Sequence, residues 1–365
     1  MILHMYFARK FTYTFLGITG VFFLLMLLID LVEQISRFSA EGVALRDIVE
    51  LTLLNTPEGL YNILPLVMIL ATITLFLGLA RSSELVVTRA SGRSALRALL
   101  GPLVVAAIIG GLAVAMANPI VAATSKRYHE LYETYRSGGN DVFSISSEGL
   151  WLRQGDKEGQ TVIRAARADP EGTSFYDVTF LSYAPKGGPV RRIQADTAVL
   201  TRGAWALTGV KVWPLGAGLN PEAEAAIHDT MELPSSLTQD RIRDSFGLPN
   251  SIPIWDLPGY IRQLEEAGFS ARRHSVWLQM ELARPLFLVA MLLISSAFTM
   301  RHTRFGRTGI SVLAAIMLGF GLYYIRNFAQ ILGENGQIPI MLAAWAPPVA
   351  SVLLAVGLLL HMEDG

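Results

Sequence analysis

The chain has 365 residues, 52% of them hydrophobic and only 16% charged, with 30 basic residues balanced by 30 acidic ones. A zero net charge lacks the basic field that a general nucleic-acid binder needs, and so charge-poor a composition points away from an ordinary soluble domain. No cysteine is present, which removes disulfide frameworks, thiolate zinc sites, iron–sulfur clusters and thiol catalysis together.

Crossing about 30 Å of hydrocarbon takes roughly 20 apolar residues. Six stretches approach that length: 11–29, 63–79, 98–120, 286–299, 310–328 and 338–360. The first follows Arg9 and Lys10 as the core of a signal peptide would, but it is too long and no small-residue cleavage site follows closely, so it reads as a retained membrane helix. The fourth is short. Residues 277–283 can extend it as one helix, which Pro285 would kink, with neighbouring groups re-satisfying the freed carbonyl.

Basic residues set the orientation. With the N-terminus in the cytoplasm, cytoplasmic segments hold Arg9 and Lys10, then Arg81, Arg89, Arg93 and Arg97, then Arg301, Arg304 and Arg307. The short outer loops hold only Arg37 and Arg46. Both termini are then cytoplasmic and residues 138–250 lie outside.

That outer block alternates in short bursts, as in Phe143-Ser-Ile145, Leu150-Trp-Leu152, Tyr176-Asp-Val178-Thr-Phe180 and Val210-Lys-Val212. Turn signals separate the bursts at Gly155-Asp156, Asp169-Pro170-Glu171-Gly172, Lys186-Gly187-Gly188-Pro189, Arg202-Gly203 and Asn220-Pro221. Short strands punctuated this way predict a sandwich or jelly roll, and Trp151, Phe175, Tyr176, Phe180, Trp205 and Trp213 are too many aromatics for a disordered loop. An amphipathic helix follows within 253–269, where Ile261, Leu264 and Ala267 share a face. The expected architecture is an α-helical membrane protein with six transmembrane helices, three on each side of an inserted all-β domain. Its parts are a first membrane half over 1–137, the β domain over 138–250, and a connecting helix with the second half over 251–365.

Catalytic patterns are missing. There is no phosphate-binding loop and no nucleophile elbow, and His129-Glu130-Leu131-Tyr132-Glu133 lacks the second histidine of a zinc-protease helix. The six histidines are scattered, so neither a metal set nor a resident cofactor is expected. The stretch 81–92 is more informative: Leu85, Val86, Arg89 and Ala90 place an apolar and basic stripe on a short helix. Ser82 or Ser83 can cap its start, Glu84 sits in the first turn where the helix dipole favours an anion, and Gly92 can end it. This is either a well-capped connecting helix or a docking helix that offers Glu84 to a cytoplasmic partner. Charges near the outer helix ends are the second candidate. Arg326 lies 18 residues past Thr308, about 27 Å up the fifth span. Asp30, Glu33 and Arg37 end the first helix, and Arg127 and Arg136 follow the third. Such arginines suit phosphate or carboxylate, or else snorkel or pair internally.

The segment Arg81-Ser-Ser-Glu-Leu-Val-Val-Thr-Arg-Ala-Ser-Gly92 resembles the R-S-E-L-x-V-x-x-A-S-G segment of the LptF/LptG (YjgP/YjgQ) permease family, and the likeness covers essentially the whole chain. Glu148-Gly149-Leu150-Trp151 and Gly336-Gln-Ile338-Pro339 with Pro347 are more similar to the LptG branch. The resemblance implies a permease subunit of an ABC exporter that lifts lipopolysaccharide from the bacterial inner membrane. It implies a periplasmic β-jellyroll and a cavity that accepts the lipid laterally. The implied partners are an LptF-like permease, an LptB-like ATPase dimer that binds the ATP, and an LptC-like single-span protein. It also places Glu84, with Leu85, Arg89 and Gly92, on a coupling helix facing the ATPase. Well-known LptG proteins carry lysines near the outer end of the first helix, where this chain keeps only Arg37. Arg326 is the candidate to take over part of that role, and Arg37, Arg127, Arg136 and Arg326 together are the candidate lipopolysaccharide contacts. Competing readings are an LptF-like subunit, a secondary carrier of envelope lipids, against which the scarcity of ionisable residues within the spans argues, and a membrane-anchored lipid enzyme.

Overall fold

The computed structural model describes residues 2–38, 43–84, 88, 95–137, 143–146, 149–156, 159–169, 173–184, 188–216, 220–235, 248–266, 268–300 and 308–363. The chain forms two compact units. One comprises Met1–Tyr132, Asn250–Trp255 and Arg272–Gly365, the other Glu133–Pro249 and Asp256–Ala271. The helices are α1 (Ile2–Phe38), α2 (Leu45–Asn62), α3 (Leu64–Arg81), α4 (Ala95–Leu112), α5 (Asn118–Ser137), α6 (Leu257–Glu266), α7 (Arg272–Thr299), α8 (Thr308–Glu334) and α9 (Ile340–Glu363). A single π-helical turn, Ala113–Ala117, joins α4 to α5 without a break.

Six helical segments among the described residues are long and apolar enough to cross a membrane: Leu3–Phe38, Leu64–Arg81, Arg97–Tyr132, Arg272–Thr299, Gly309–Glu334 and Ile340–His361. All six expected stretches are there. The fourth does extend through 277–283, and Pro285 sits inside α7 without ending it. One element departs from the expectation. Residues 45–62, read as part of a short outer loop, form α2, separated from α3 by Ile63 alone. Arg46, Asp47, Glu50 and Glu58 interrupt its apolar pattern, so no hydrophobic run marks it, and Pro65 at the start of α3 pre-sets the next helix.

The bundle packs through its root in α1. Phe7, Phe11 and Phe15 recur every four residues on one face and are buried with Met68, Phe76, Leu99, Phe287 and Leu292. Glycines set the closest approaches. A Cβ on Gly101 would lie 2.3 Å from the carbonyl oxygen of His4, so α4 crosses the α1 backbone directly. One on Gly110 would lie 2.6 Å from Cα of Pro285. Small residues at helix crossings are how membrane helices gain packing contacts, since lipid supplies no hydrophobic drive between them. By contrast, the outer face of α1, with Tyr13, Leu16, Val21, Leu24, Leu28 and Val32, is exposed.

The second unit holds β1 (Phe143–Ser146), β2 (Gly149–Asp156), β3 (Gly159–Ala168), β4 (Ser174–Tyr183), β5 (Pro189–Thr201), β6 (Ala204–Pro214) and β7 (Ala226–Pro234). They form one seven-stranded antiparallel sheet in sequence order. Of the expected turns, Arg202-Gly203 links β5 to β6 in two residues, with Gly203 at φ 86°, whereas Gly155-Asp156 lies at the end of β2 and continues its pairing with β3. In β3 to β6 side chains alternate in and out except at one place. In β3, β4, β5 and β6 two consecutive residues point outward between buried neighbours: Ala166 and Arg167, Tyr176 and Asp177, Asp196 and Thr197, Thr208 and Gly209. These pairs are opposite one another, since Arg167 faces Tyr176, Tyr176 faces Thr197 and Thr197 faces Thr208. They therefore trace a crease across the sheet. Asp177 at φ 53° and Gly209 at φ 65° supply the backbone turn.

The crease makes one sheet act as two layers. Phe180 on β4 aligns through Ile193 with Val212 on β6, seven residues along β6 from Trp205. A flat sheet would hold those side chains about 20 Å or more apart. Their ring centroids are 6.1 Å apart, across the crease. A jellyroll-like core results, with Trp205, Phe175, Phe180, Ile193 and Val210 buried in it. The connecting helix α6 belongs to this unit, with Leu257, Ile261 and Leu264 buried along one face and Phe269 edge-on to Phe175 at 6.4 Å. Ala267, expected on the same face, lies outside the described residues.

Candidate functional site

Two polar clusters stand out in the helical unit, one at each end of the bundle. The first surrounds Glu84. Ser82 closes α3 rather than opening the next helix, its backbone N–H donating to Gly78 O at 3.0 Å, and Ser83 turns the chain at φ 59°. Glu84 and Thr88 are helical, with Thr88 Oγ1 donating to Glu84 O at 2.8 Å. Leu85, Arg89 and Gly92, the other coupling residues read from the sequence, lie outside the described residues. The Glu84 carboxylate is held within the chain. Oε1 accepts from Lys10 Nζ at 3.0 Å and Ser82 Oγ at 2.8 Å, and Oε2 accepts from Tyr6 Oη at 3.0 Å and Lys10 Nζ at 3.3 Å. The Lys10 and Glu84 side chains remain 35% and 32% exposed. Burial pushes the Glu84 carboxyl up, but hydrogen bonds from Lys10, Ser82 and Tyr6 outweigh it and hold the group below its ordinary range.

The second cluster was not read from the sequence. Glu281 and Arg284, three apart on α7, form a fully buried ion pair, with Arg284 Nη2 donating to Glu281 Oε1 at 2.5 Å and Nε to Oε2 at 3.1 Å. Tyr61 Oη donates to Glu281 Oε2 at 2.5 Å, and Arg284 Nη1 returns a bond to Tyr61 O at 3.1 Å. Asn118, just past the π turn, donates to Glu281 Oε2 at 3.4 Å and accepts from Ile254 N at 2.9 Å. Trp255 Nε1 reaches Ala115 O, inside that turn, at 3.2 Å. The knot thus ties α2, α5 and α7 to the segment Asn250–Trp255. The available signal was a charged pair three residues apart inside an apolar run. The spans hold few ionisable residues, and three of them, Glu281, Arg284 and Arg326, gather at this layer.

Arg326 belongs to the same knot. It and Glu281 each stand 18 residues, about 27 Å, from the facing ends of α8 and α7 at Thr308 and Thr299. Its side chain does not reach the surface. The residue is 6% exposed, lies 5.4 Å above the Phe287 ring and donates from Nη2 to Met280 O at 3.3 Å. Arg37 is exposed and paired with Glu33 one turn away, with Tyr132 Oη 3.5 Å from it. Arg127 is exposed and pairs with Glu130 at 3.6 Å. Arg136 stands on α5, its side chain outside the described residues. Asp30 accepts from Asn55 at 2.8 Å and Gln34 donates to Tyr128 Oη at 2.9 Å, fastening α1 to α2 and α5.

Comparison with known proteins places this arrangement. Relatives include the lipopolysaccharide export system permease protein LptG of Escherichia coli K12, 24% identical over 318 residues that cover 85% of this chain and 84% of that protein. The protein of the same name from Haemophilus influenzae is 22% identical over 356 residues, covering 94% of this chain and 96% of that one. Residues 5–361 match the family model described as lipopolysaccharide export system permease LptF/LptG. With six apolar helices, an inserted β unit and a match along nearly its whole length, the chain belongs to the LptF/LptG family of lipopolysaccharide export permeases.

Proposed function

We propose that this multi-pass inner-membrane permease subunit is the LptG-type half of a permease pair, driven by a cytoplasmic ATPase dimer of the LptB type and joined by a single-span protein of the LptC type. The ATPase binds the ATP, and this chain contributes motion rather than catalysis. Both termini and Glu84 face the cytoplasm, and the β unit faces the periplasm. Lipopolysaccharide enters laterally, with Arg37, Arg127 and Arg136 offered to its phosphates. Arg326 acts from beneath, as a buried positive charge at the same level of the bundle, rather than by direct reach.

The observation that supports docking at Glu84 is its position. A partly exposed carboxylate stands directly past the end of α3, in the segment that carries the family resemblance, on the side where arginines accumulate in the sequence. A docked ATPase closing on ATP would push on 81–92, and the packed helices would move as near-rigid bodies. A mild-detergent pull-down of tagged protein tests this. Wild type is expected to bring down an ATPase and a second six-helix subunit, with Glu84→Arg losing about tenfold or more of the ATPase through charge reversal at a docking contact. Wild-type protein that purifies alone and stable would sink the reading. Because the chain has no cysteine, single cysteines report the orientation directly. Arg202→Cys should react with an impermeant maleimide in cells with a permeabilised outer membrane, and Ser83→Cys only after lysis.

A further inference from the structure

A carboxylate has about four lone-pair sites and no donor. All four of those on Glu84 are engaged within the chain, two by Lys10 and one each by Tyr6 and Ser82. Lys10 is the charged member, and with Tyr6 it sits on α1, one turn apart, where its ammonium also lies 5.4 Å from the Tyr6 ring centroid. A cation arriving from a docked protein therefore finds no vacant acceptor and must displace an in-chain donor.

We infer that Glu84 is exchanged between Lys10 of α1 and a cationic side chain of the docking ATPase, so that ATPase docking and the seating of α1 compete for one carboxylate. The inference rests on the docking role proposed above for Glu84. Tyr6 is a positioning residue in this exchange, because its hydroxyl fixes Oε2 where Lys10 reaches both oxygens. Competition for one group is a coupling between two sites, and it is reciprocal. Whatever weakens the clasp strengthens docking, and docking weakens the clasp by the same factor. Lys10 is also well placed to change partner without unfolding the helix. The root of α1 is held by buried Phe7, Phe11 and Phe15 and by the Gly101 crossing, not by the exposed ion pair.

The test is the affinity of the purified ATPase for the permease pair in nanodiscs. Lys10→Ala and Tyr6→Phe are each expected to tighten it, by about two- to fivefold for Lys10→Ala, the range of a partly exposed ion pair. Lys10→Arg should restore the wild-type value. A residue with a merely structural role would weaken binding or leave it unchanged. Spin labels at Tyr13→Cys and Leu313→Cys, both on exposed faces, give a second reading. Adding ATPase should shift their distance distribution in the wild-type background, and Lys10→Ala should show the shifted distribution before any ATPase is added. If Glu84→Ala abolishes docking while Lys10→Ala leaves affinity and distances at wild-type values, the exchange is wrong and the docking role stands. If Glu84→Ala leaves docking intact, the docking role falls and the exchange falls with it.

Discussion

At the scale of single residues, the Glu281–Arg284 pair carries the sharpest consequences. Both charges are removed from solvent, and each is compensated chiefly by the other, with Tyr61 and Asn118 completing the carboxylate. Breaking such a pair leaves one bare charge, at a cost of about 3–5 kcal/mol, whereas replacing both members with apolar side chains of similar size is often near neutral. Glu281→Leu should therefore lower the thermal midpoint of the purified protein sharply, and Glu281→Leu with Arg284→Met should recover part of it, the remainder being the cost of Arg326 left without a carboxylate. Equal losses in the single and double variants would mean that the pair is not what stabilises the contact. Arg326 adds a second guanidinium to a knot with one carboxylate, and its Nε has no hydrogen-bond partner among the described residues. Glu281 therefore offsets two positive groups at once, and its loss should be costlier than that of Tyr61 Oη alone. At the opposite end of the bundle the Glu84 carboxyl is depressed below its ordinary range, so its in-chain contacts are present at neutral pH and above its unfolded value. They are lost only as pH falls through the depressed value. The clasp should persist through the neutral pH range, which a carboxyl-carbon NMR titration of Glu84 would check.

At the scale of elements, glycine placement decides which helices touch. The α1–α4 crossing leaves no room for a methyl group at Gly101, while Gly17 and Gly20 on α1 have open space around the same position. Gly101→Ala should cost about 1–3 kcal/mol through forced separation of the two helices, and Gly20→Ala should leave the thermal midpoint unchanged or slightly raised. The same contrast shows why some elements could be read from the sequence and others could not. The six spans announce themselves because each needs an uninterrupted apolar run, and the strands because alternation and turn residues are local signals. Local signals fail for α2, whose face is shared between polar contacts such as Asn55 to Asp30 and apolar burial of Leu51. They fail more completely for the buried knot. Tyr61, Asn118, Glu281 and Arg326 are spread over the chain and meet only after four helices have packed. Glu84 could be singled out as a candidate because its segment is contiguous, yet Lys10 and Tyr6, which hold it, are more than seventy residues away.

At the scale of the whole molecule, the chain holds a helical unit and a sheet unit, each with its own core. Unfolding of such a chain need not be a single two-state event. Heating followed by helix circular dichroism and by the fluorescence of buried Trp205, in a variant whose other five tryptophans are replaced by Phe, should give midpoints that do not coincide. Gly209→Val, which forces a branched residue to φ 65° and its Cβ against the Asp196 carboxylate, should cost about 1–3 kcal/mol and lower only the tryptophan-reported transition. A common shift of both signals would show instead that the two cores melt together. The crease at which Gly209 lies also limits how this domain can change length. Each of four strands keeps a matched pair of outward residues in step with its neighbours. Losing or gaining one residue in a single strand would send everything beyond it to the wrong face, because side chains alternate with a period of two. Length changes are therefore free in the hairpin turns and forbidden at the fold line unless all four strands change together. A family that varies its β domain should keep this line fixed and let its loops drift.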